Sequence, residues 1–152
     1  MVDFLLNPQV RIICQLLLAA ILGGLVGFER EYQKRAAGLR THSLVCIGAT
    51  LFTVISLEAF GSWLDKPGVS FDPSRILAAI VMGVGFIGAG LIVYRRFRIE
   101  GLTTAAGMWV VAAIGMAIGV QFYFIAIFTA FLTLAILTVL RLLEEKIFGK
   151  EE

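Results

Sequence analysis

The sequence predicts an all-α membrane protein with five short transmembrane helices. Three observations lead to this fold class. Of the 152 residues, 59% are hydrophobic and only 16% are charged, and the mean hydropathy is +0.93. A soluble domain of this size needs roughly a quarter charged residues to cover its surface. The charges also collect in short clusters between long apolar runs, which is typical of membrane proteins.

Five apolar runs define the spans. The first three cover residues 12–28, 44–60 and 76–94, and the remaining apolar sequence continues almost unbroken through 102–140. A single helix of that length would be about 60 Å long, roughly twice the hydrocarbon thickness. The chain must therefore turn, and the expected site of a tight hairpin between spans four and five is Gly119-Val120-Gln121.

The spans are expected to be helices of one transmembrane domain over residues 1–152. In lipid each backbone N–H and C=O group needs a partner within its own segment, and continuous apolarity does not fit alternating strands. The first run is expected to be a span rather than a cleaved leader, because Asp3 stands where a basic segment would precede a leader.

Lysine and arginine residues predict the orientation. Three stretches, after span one, after span three and after span five, together hold ten of them: Arg30, Lys34, Arg35, Arg40, Arg95, Arg96, Arg98, Arg141, Lys146 and Lys150. The other side holds only Arg11, Lys66 and Arg75. This bias predicts an N-terminus outside and a C-terminus inside.

Two pairs of similar segments indicate a possible parallel repeat of two helical hairpins. Arg11-Ile12 and Arg75-Ile76 open spans one and three. Gly38-Leu39-Arg40-Thr41 and Gly101-Leu102-Thr103-Thr104 open spans two and four. Such a repeat implies a pseudo-twofold axis along the membrane normal.

Glycines are concentrated within the spans. Gly83, Gly85 and Gly88 match the GxGxxG pattern of dinucleotide-binding proteins, but that fingerprint needs a preceding strand, whereas this segment lies inside a span. Helix packing is the better interpretation, and it extends to these residues: Gly23, Gly27, Gly83, Gly85, Gly88, Gly90, Gly115 and Gly119. Eleven of the sixteen glycines lie in predicted spans, so we also expect a homodimer, either through these faces or with the faces used internally.

Three acidic residues on the predicted outer side form a weak candidate metal site. Glu58, Asp65 and Asp72 are oxygen donors of the kind that Mg²⁺ prefers. Two of the three have a simpler interpretation as well. Asp72-Pro73 is a good helix start, and Glu58 lies about one turn from the boundary of its span.

Span two carries a mild polar stripe at helical spacing: Ser43, Cys46, Thr50, Thr53 and Ser56. These side chains either line a path through the membrane or hydrogen-bond to neighbouring helices, and the second role is the commoner one.

A basic surface is predicted on the cytosolic side. Helix one is expected to continue through a salt-bridged segment that includes Glu31 and Arg35 and to stop near Gly38, with Thr41 and Thr103 or Thr104 capping helices two and four. Helix N-termini beside arginines favour lipid phosphate, a soluble phosphate or an acidic partner. The candidate anion- or partner-binding residues are Arg35, Arg40, Thr41, His42, Arg95, Arg96, Arg98, Thr103 and Thr104.

No catalytic constellation is visible in the sequence. A Ser/His/Asp set, an HExxH motif and a Walker A motif are all lacking, so an enzyme is not expected. No cofactor or nucleic-acid partner is expected either; Mg²⁺ is a possible ligand of the outer acidic residues, and membrane lipids are expected partners.

Four ordered motifs resemble the MgtC/SapB family: Gly27-Phe28-Glu29-Arg30-Glu31, Ala37 to Val45, Gly85 to Gly90, and Gly101 to Ala106 followed by Trp109. The resemblance implies a bacterial inner-membrane protein linked to magnesium-limited growth. MgtC-like members also have a soluble C-terminal domain, which the sequence after Leu140 is not expected to supply.

Two functions are therefore expected as alternatives. One is a regulatory or partner-binding membrane module linked to magnesium homeostasis, and the other is a Mg²⁺ transporter or channel component. The second needs a polar lining, and no span has a carboxylate at mid-depth, although an oligomeric pore would supply lining that one chain lacks.

Overall fold

The computed structural model describes residues 7–61, 72, 74–95 and 97–148. Its elements, in chain order, are α1 Pro8–Tyr32, α2 Leu39–Gly61, α3 Ser74–Leu91, β1 Val93–Arg95, β2 Arg98–Glu100, α4 Leu102–Gly119, α5 Tyr123–Ala135, a π-helical turn Ile136–Leu140, and α6 Arg141–Phe148. Five helical segments are long and apolar enough to cross a membrane, the last of them continuing from α5 into α6. The predicted all-α fold with five spans is confirmed; the orientation and the repeat stay predictions.

Helices α1, α2 and α4 form the core, and small residues let them approach closely. A Cβ added at Gly23 would lie 2.7 Å from the Cβ of Cys46, and one at Gly119 would lie 2.6 Å from the Cβ of Thr53. Gly27 and Gly115 likewise meet α2. These two GxxxG pairs therefore pack within the chain, which is one of the two alternatives that the sequence left open.

Helix α3 packs differently from the prediction. Gly88 contacts Ala105 of α4, at 3.6 Å from an added Cβ, but an atom added at Gly83, Gly85 or Gly90 would have none of the described residues of another element within 4 Å. Gly85 was expected to hold the chain together, and it instead faces open space. The expected homodimer stays a prediction. The open side of α3 is a glycine face at which a second copy could pack.

Two residues of the polar stripe of α2, Ser43 and Thr50, hydrogen-bond to neighbouring helices, whereas the buried Ser56 hydroxyl has no partner among the described residues. The Thr50 hydroxyl contacts the carbonyl oxygens of Cys46 and of Gly115 on α4, both at 2.9 Å, and the Ser43 hydroxyl donates to Ala20 of α1 at 3.3 Å. Thr53 bonds to Ala49 within its own helix. These bonds satisfy hydroxyls that would be costly to leave unpaired in an apolar interior.

The turn between α4 and α5 lies where the sequence predicts it. Helix α4 ends at Gly119, Gln121 adopts a left-handed φ of 66°, and the Phe122 N–H donates to Ala117 at 2.8 Å. The buried Gln15 of α1 completes this end, because its side-chain amide donates to the carbonyl of Ile118 at 2.8 Å. A helix end leaves carbonyls without intrahelical partners, and Gln15 supplies one.

Three expected helix boundaries are wrong. Helix α2 begins at Leu39, so Thr41 lies inside its first turn and does not cap it. Helix α4 begins at Leu102 after Gly101, which has a φ of 91° and makes no side-chain cap, so neither Thr103 nor Thr104 is a cap. Helix α1 ends at Tyr32, well before Gly38. In each case the backbone conformation of the adjoining loop sets the helix boundary, and the capping residue expected from the sequence does not.

A short β-hairpin, β1–β2, was not foreseen between α3 and α4. Its strands are antiparallel, with Tyr94 opposite Ile99 and Arg95 opposite Arg98. Side chains of a strand alternate between faces, so one face carries Tyr94 and Ile99 and the other carries the two arginines. Both pairs are exposed.

Candidate functional site

We call one end of the bundle the basic end. There α1 ends at Tyr32, α2 begins at Leu39, and α3 ends at Leu91 before the hairpin. The chain reverses between α1 and α2 through Lys34, which has a φ of 52°, and the Arg35 N–H donates to the carbonyl of Arg30 at 3.0 Å. Because α1 stops at Tyr32, Glu31 and Arg35 do not form the expected pair along one helix.

Glu31 instead holds the start of α2. Its carboxylate accepts the backbone N–H of Leu39 at 2.8 Å, which satisfies one of the free donors at a helix N-terminus. A Cβ at Gly38 would lie 2.6 Å from the same carboxylate oxygen, so glycine is needed for this approach. The contact fixes where Arg40 and Thr41 stand relative to the loop.

A polar pocket of about 320 Å³ lies in this loop region. Three cationic side chains line it, Lys34, Arg35 and Arg40, and all three are exposed. None of them has an ion-pair partner within the described residues. Its one acid, Glu31, already accepts the Leu39 N–H. The pocket is therefore receptive to anions.

A buried charged group, not expected from the sequence, lies near the end of α1. Arg30 is only 3% exposed and forms an ion pair with its neighbour Glu29. Glu29 Oε1 has no hydrogen-bond partner among the described residues. Removing two charges from water is costly, and their mutual attraction offsets that cost only when the geometry of the pair is good. The stability of the Glu29–Arg30 pair therefore depends on its local geometry.

His42 is fully buried in the same region. Its Nδ1 donates to the carbonyl of Gly38 at 2.9 Å, which leaves Nε2 as an acceptor, and Nε2 has no partner in the part of the chain that the structure describes. The ring lies between Gly27 of α1 and Gly107 of α4. His42 therefore belongs to the helix packing and does not reach the open anion-receptive surface.

The structure separates the remaining predicted anion-site residues. Thr104 is buried and Thr103 is exposed on α4. Arg95 and Arg98 stand on the hairpin, and Arg96 lies outside the described residues. Of the nine, the structure brings Arg35, Arg40 and Thr41 together around one pocket.

An apolar groove of about 920 Å³ runs between α2 and α3. Ala49, Ile80 and Val84 line the groove, and the same three residues pack with Ala112 of α4 in one buried cluster. Gly48 and Gly83 lie on its walls, and an added Cβ at either would meet nothing within 4 Å. Arg40 and Thr41 line this groove and also the polar pocket, so the two cavities adjoin.

The acidic residues at the opposite end have separate partners. Glu58 forms an ion pair with Arg11 of α1. Asp72 accepts the backbone N–H of Ser74 at 3.0 Å, and hydrogen bonds from the Ser74 hydroxyl and N–H hold the pKa of its carboxyl below the usual value. Asp65 lies outside the described residues. Among those that are described, no group of three metal-binding side chains comes together.

The helices and the membrane-exposed apolar surface define a multi-pass membrane protein of the bacterial inner membrane. Residues 16–146 match the MgtC family, and the chain belongs to that family. The buried Glu29–Arg30 pair, His42 and Gly38 all lie in the part that matches.

Relatives with names are found in several bacteria. The chain is 47% identical over 138 residues to YhiD of Escherichia coli (strain K12), whose name proposes it as a magnesium transporter; the match covers 91% of this chain and 64% of YhiD. It is 46% identical over 101 residues to protein MgtC of Brucella abortus, covering 66% of this chain and 39% of that protein. Protein SrpB of Synechococcus elongatus is 38% identical over 133 residues, covering 82% and 71%.

The chain thus spans just under two thirds of YhiD and well under half of the Brucella MgtC. No solved structure matches it significantly.

Proposed function

We propose that this chain is a regulatory or partner-binding membrane module linked to magnesium homeostasis. The names and family of its relatives support the link to magnesium. The observation that favours a binding module is how the polar stripe of α2 is used. Thr50 is bonded to α4 and Ser43 to α1, so these hydroxyls hold helices together instead of lining a path for a hydrated cation.

The surfaces that stay open fit the same function. The described helices leave apolar side chains and the glycines Gly85 and Gly90 of α3 facing outward, and such faces admit close contact with another membrane helix. The basic end adds an anion-receptive pocket. Other membrane proteins and lipids are therefore the proposed partners.

The second candidate function is a Mg²⁺ transporter or channel component, with Mg²⁺ as the transported ion. The name of the E. coli relative favours it. A pore formed between several copies would place the polar lining outside any one chain.

Growth in limiting magnesium tests the proposed function. The full chain is expressed in a bacterial strain that lacks its own MgtC-family proteins, and growth is measured together with the initial rate of Mg²⁺ entry. We expect growth to be restored with no rise in the entry rate. A matched negative control is Gly115→Leu, because its side chain would overlap α2. Mg²⁺ entry that increases in proportion to the amount of protein would instead support the transporter.

A further inference from the structure

The groove between α2 and α3 is apolar along its length and positively charged at one end. Leu44, Gly48 and Phe52 line it from α2, and Ile76, Gly83 and Ile87 line it from α3. Leu44 and Phe52 are 68% and 59% exposed, although the space beside them is concave. Nothing in the described chain fills this space.

The length of the groove corresponds to one leaflet of a bilayer. From Arg40 to Phe52 on α2, a rise of 1.5 Å per residue gives about 18 Å. One leaflet of hydrocarbon is about 15 Å deep, half of the full core. An extended acyl chain that starts at the basic end would therefore lie along the groove.

The charged end lies where a lipid headgroup would be. Arg40 lines both the groove and the polar pocket, and Lys34 and Arg35 add two more cations to that pocket. The guanidinium group of arginine forms paired hydrogen bonds with phosphate oxygens. The one acid there, Glu31, is directed at the N–H of Leu39.

We propose that this groove holds one acyl chain of an anionic phospholipid, whose phosphate is bound by Arg40 at the basic end. A second copy of the chain fits less well. Two copies inserted in the same direction would bring their basic ends to the same depth, so a copy seated in the groove would place further cations near Arg40. A free phosphate would use the pocket alone and leave the apolar groove without a role.

Native mass spectrometry of the full chain, exchanged into mixtures of phosphatidylglycerol and phosphatidylcholine, tests the proposal. We expect wild-type protein to retain phosphatidylglycerol in preference to phosphatidylcholine. Arg40→Gln is expected to lower the retained phosphatidylglycerol by about tenfold, because a charge-assisted hydrogen bond to phosphate is lost. Gly83→Leu fills the groove and is expected to lower retention of both lipids.

Two matched controls separate these effects from general ones. Lys146→Gln removes an exposed cation of α6 that lines neither cavity, and Gly85→Leu enlarges a glycine on α3 that faces away from the groove. Both are expected to retain lipid as the wild type does. Unfolding temperatures show whether each variant is folded, and Arg40→Gln and Gly83→Leu decide the question independently.

Three results would overturn the proposal. In the first, wild-type protein retains the two lipids equally, and Gly83→Leu does not change the amount of either lipid retained. The second is a dimer that Gly83→Leu dissociates, which would assign the groove to a second copy. The third is displacement of phosphatidylglycerol by millimolar inorganic phosphate, which would assign the charged end to a soluble anion. None of these readouts involves magnesium, so they are independent of the proposed function.

Discussion

At the scale of single residues, Gln15 shows how this bundle uses a polar side chain within an apolar run. It is 2% exposed, and its amide donates across to Ile118 at the end of α4. We expect Gln15→Leu to lower the free energy of unfolding by about 1 kcal/mol, since the hydrogen bond from α1 to the end of α4 is lost. Unfolding in mixed detergent micelles measures this.

The matched control for that substitution is Gln9→Leu. Gln9 lies on the same helix and is exposed, so its replacement should change stability by less than about 0.5 kcal/mol. Equal losses for the two variants would mean that the Gln15 bond contributes nothing specific.

At the scale of the helices, the glycines divide into packed and open positions. An added Cβ at Gly23 would lie 2.8 Å from the backbone oxygen of His42, whereas one at Gly85 would meet nothing. We expect Gly23→Ala to destabilise the protein by about 2 kcal/mol through overpacking. Gly85→Ala should stabilise it by up to about 1 kcal/mol, because alanine favours helix. Thermal unfolding of both variants compares them, and the reverse order would contradict this packing.

The spans could be predicted from the sequence for two reasons. In lipid the backbone N–H and C=O groups must hydrogen-bond within the segment, which requires a helix, and the bilayer thickness sets the minimum length of each apolar run. The need for a turn within residues 102–140 followed from length, and Gly119 and Gln121 located it. Which glycines face inward could not be predicted, since a glycine pattern is identical whether the neighbouring helix belongs to the same chain or to another. Gly23 and Gly85 illustrate the two outcomes.

The candidate site was predicted only in part, for physical reasons. Arg40 and Arg35 were expected at a basic surface, and the structure places both at the polar pocket. The burial of Arg30 and His42 was missed, because burial depends on how α1, α2 and α4 meet. The sequence did contain a local signal. Gly27 and Arg30 are three residues apart and so lie on the same face of α1, and a glycine on a helix face permits close approach of a neighbouring helix.

At the scale of the whole molecule, the orientation in the membrane is a prediction that labelling tests. Cys14 and Cys46 are first replaced by serine and alanine, and single cysteines are then placed at Lys34, Arg98 or Lys66. A membrane-impermeant thiol reagent applied to intact cells should modify position 66 and leave 34 and 98 unmodified until the cells are opened. Labelling of position 98 from outside would overturn the five-span orientation.

We propose that this chain binds partners and does not itself conduct Mg²⁺. Purified full chain in liposomes that enclose a Mg²⁺-sensitive dye tests it most directly, with protein-free liposomes and the Gly115→Leu variant as controls. The inward-facing hydroxyls Thr50 and Ser43 are engaged by neighbouring helices. We therefore predict Mg²⁺ entry no faster than in protein-free liposomes. Entry that saturates with Mg²⁺ concentration, and that Gly115→Leu abolishes, would contradict the account.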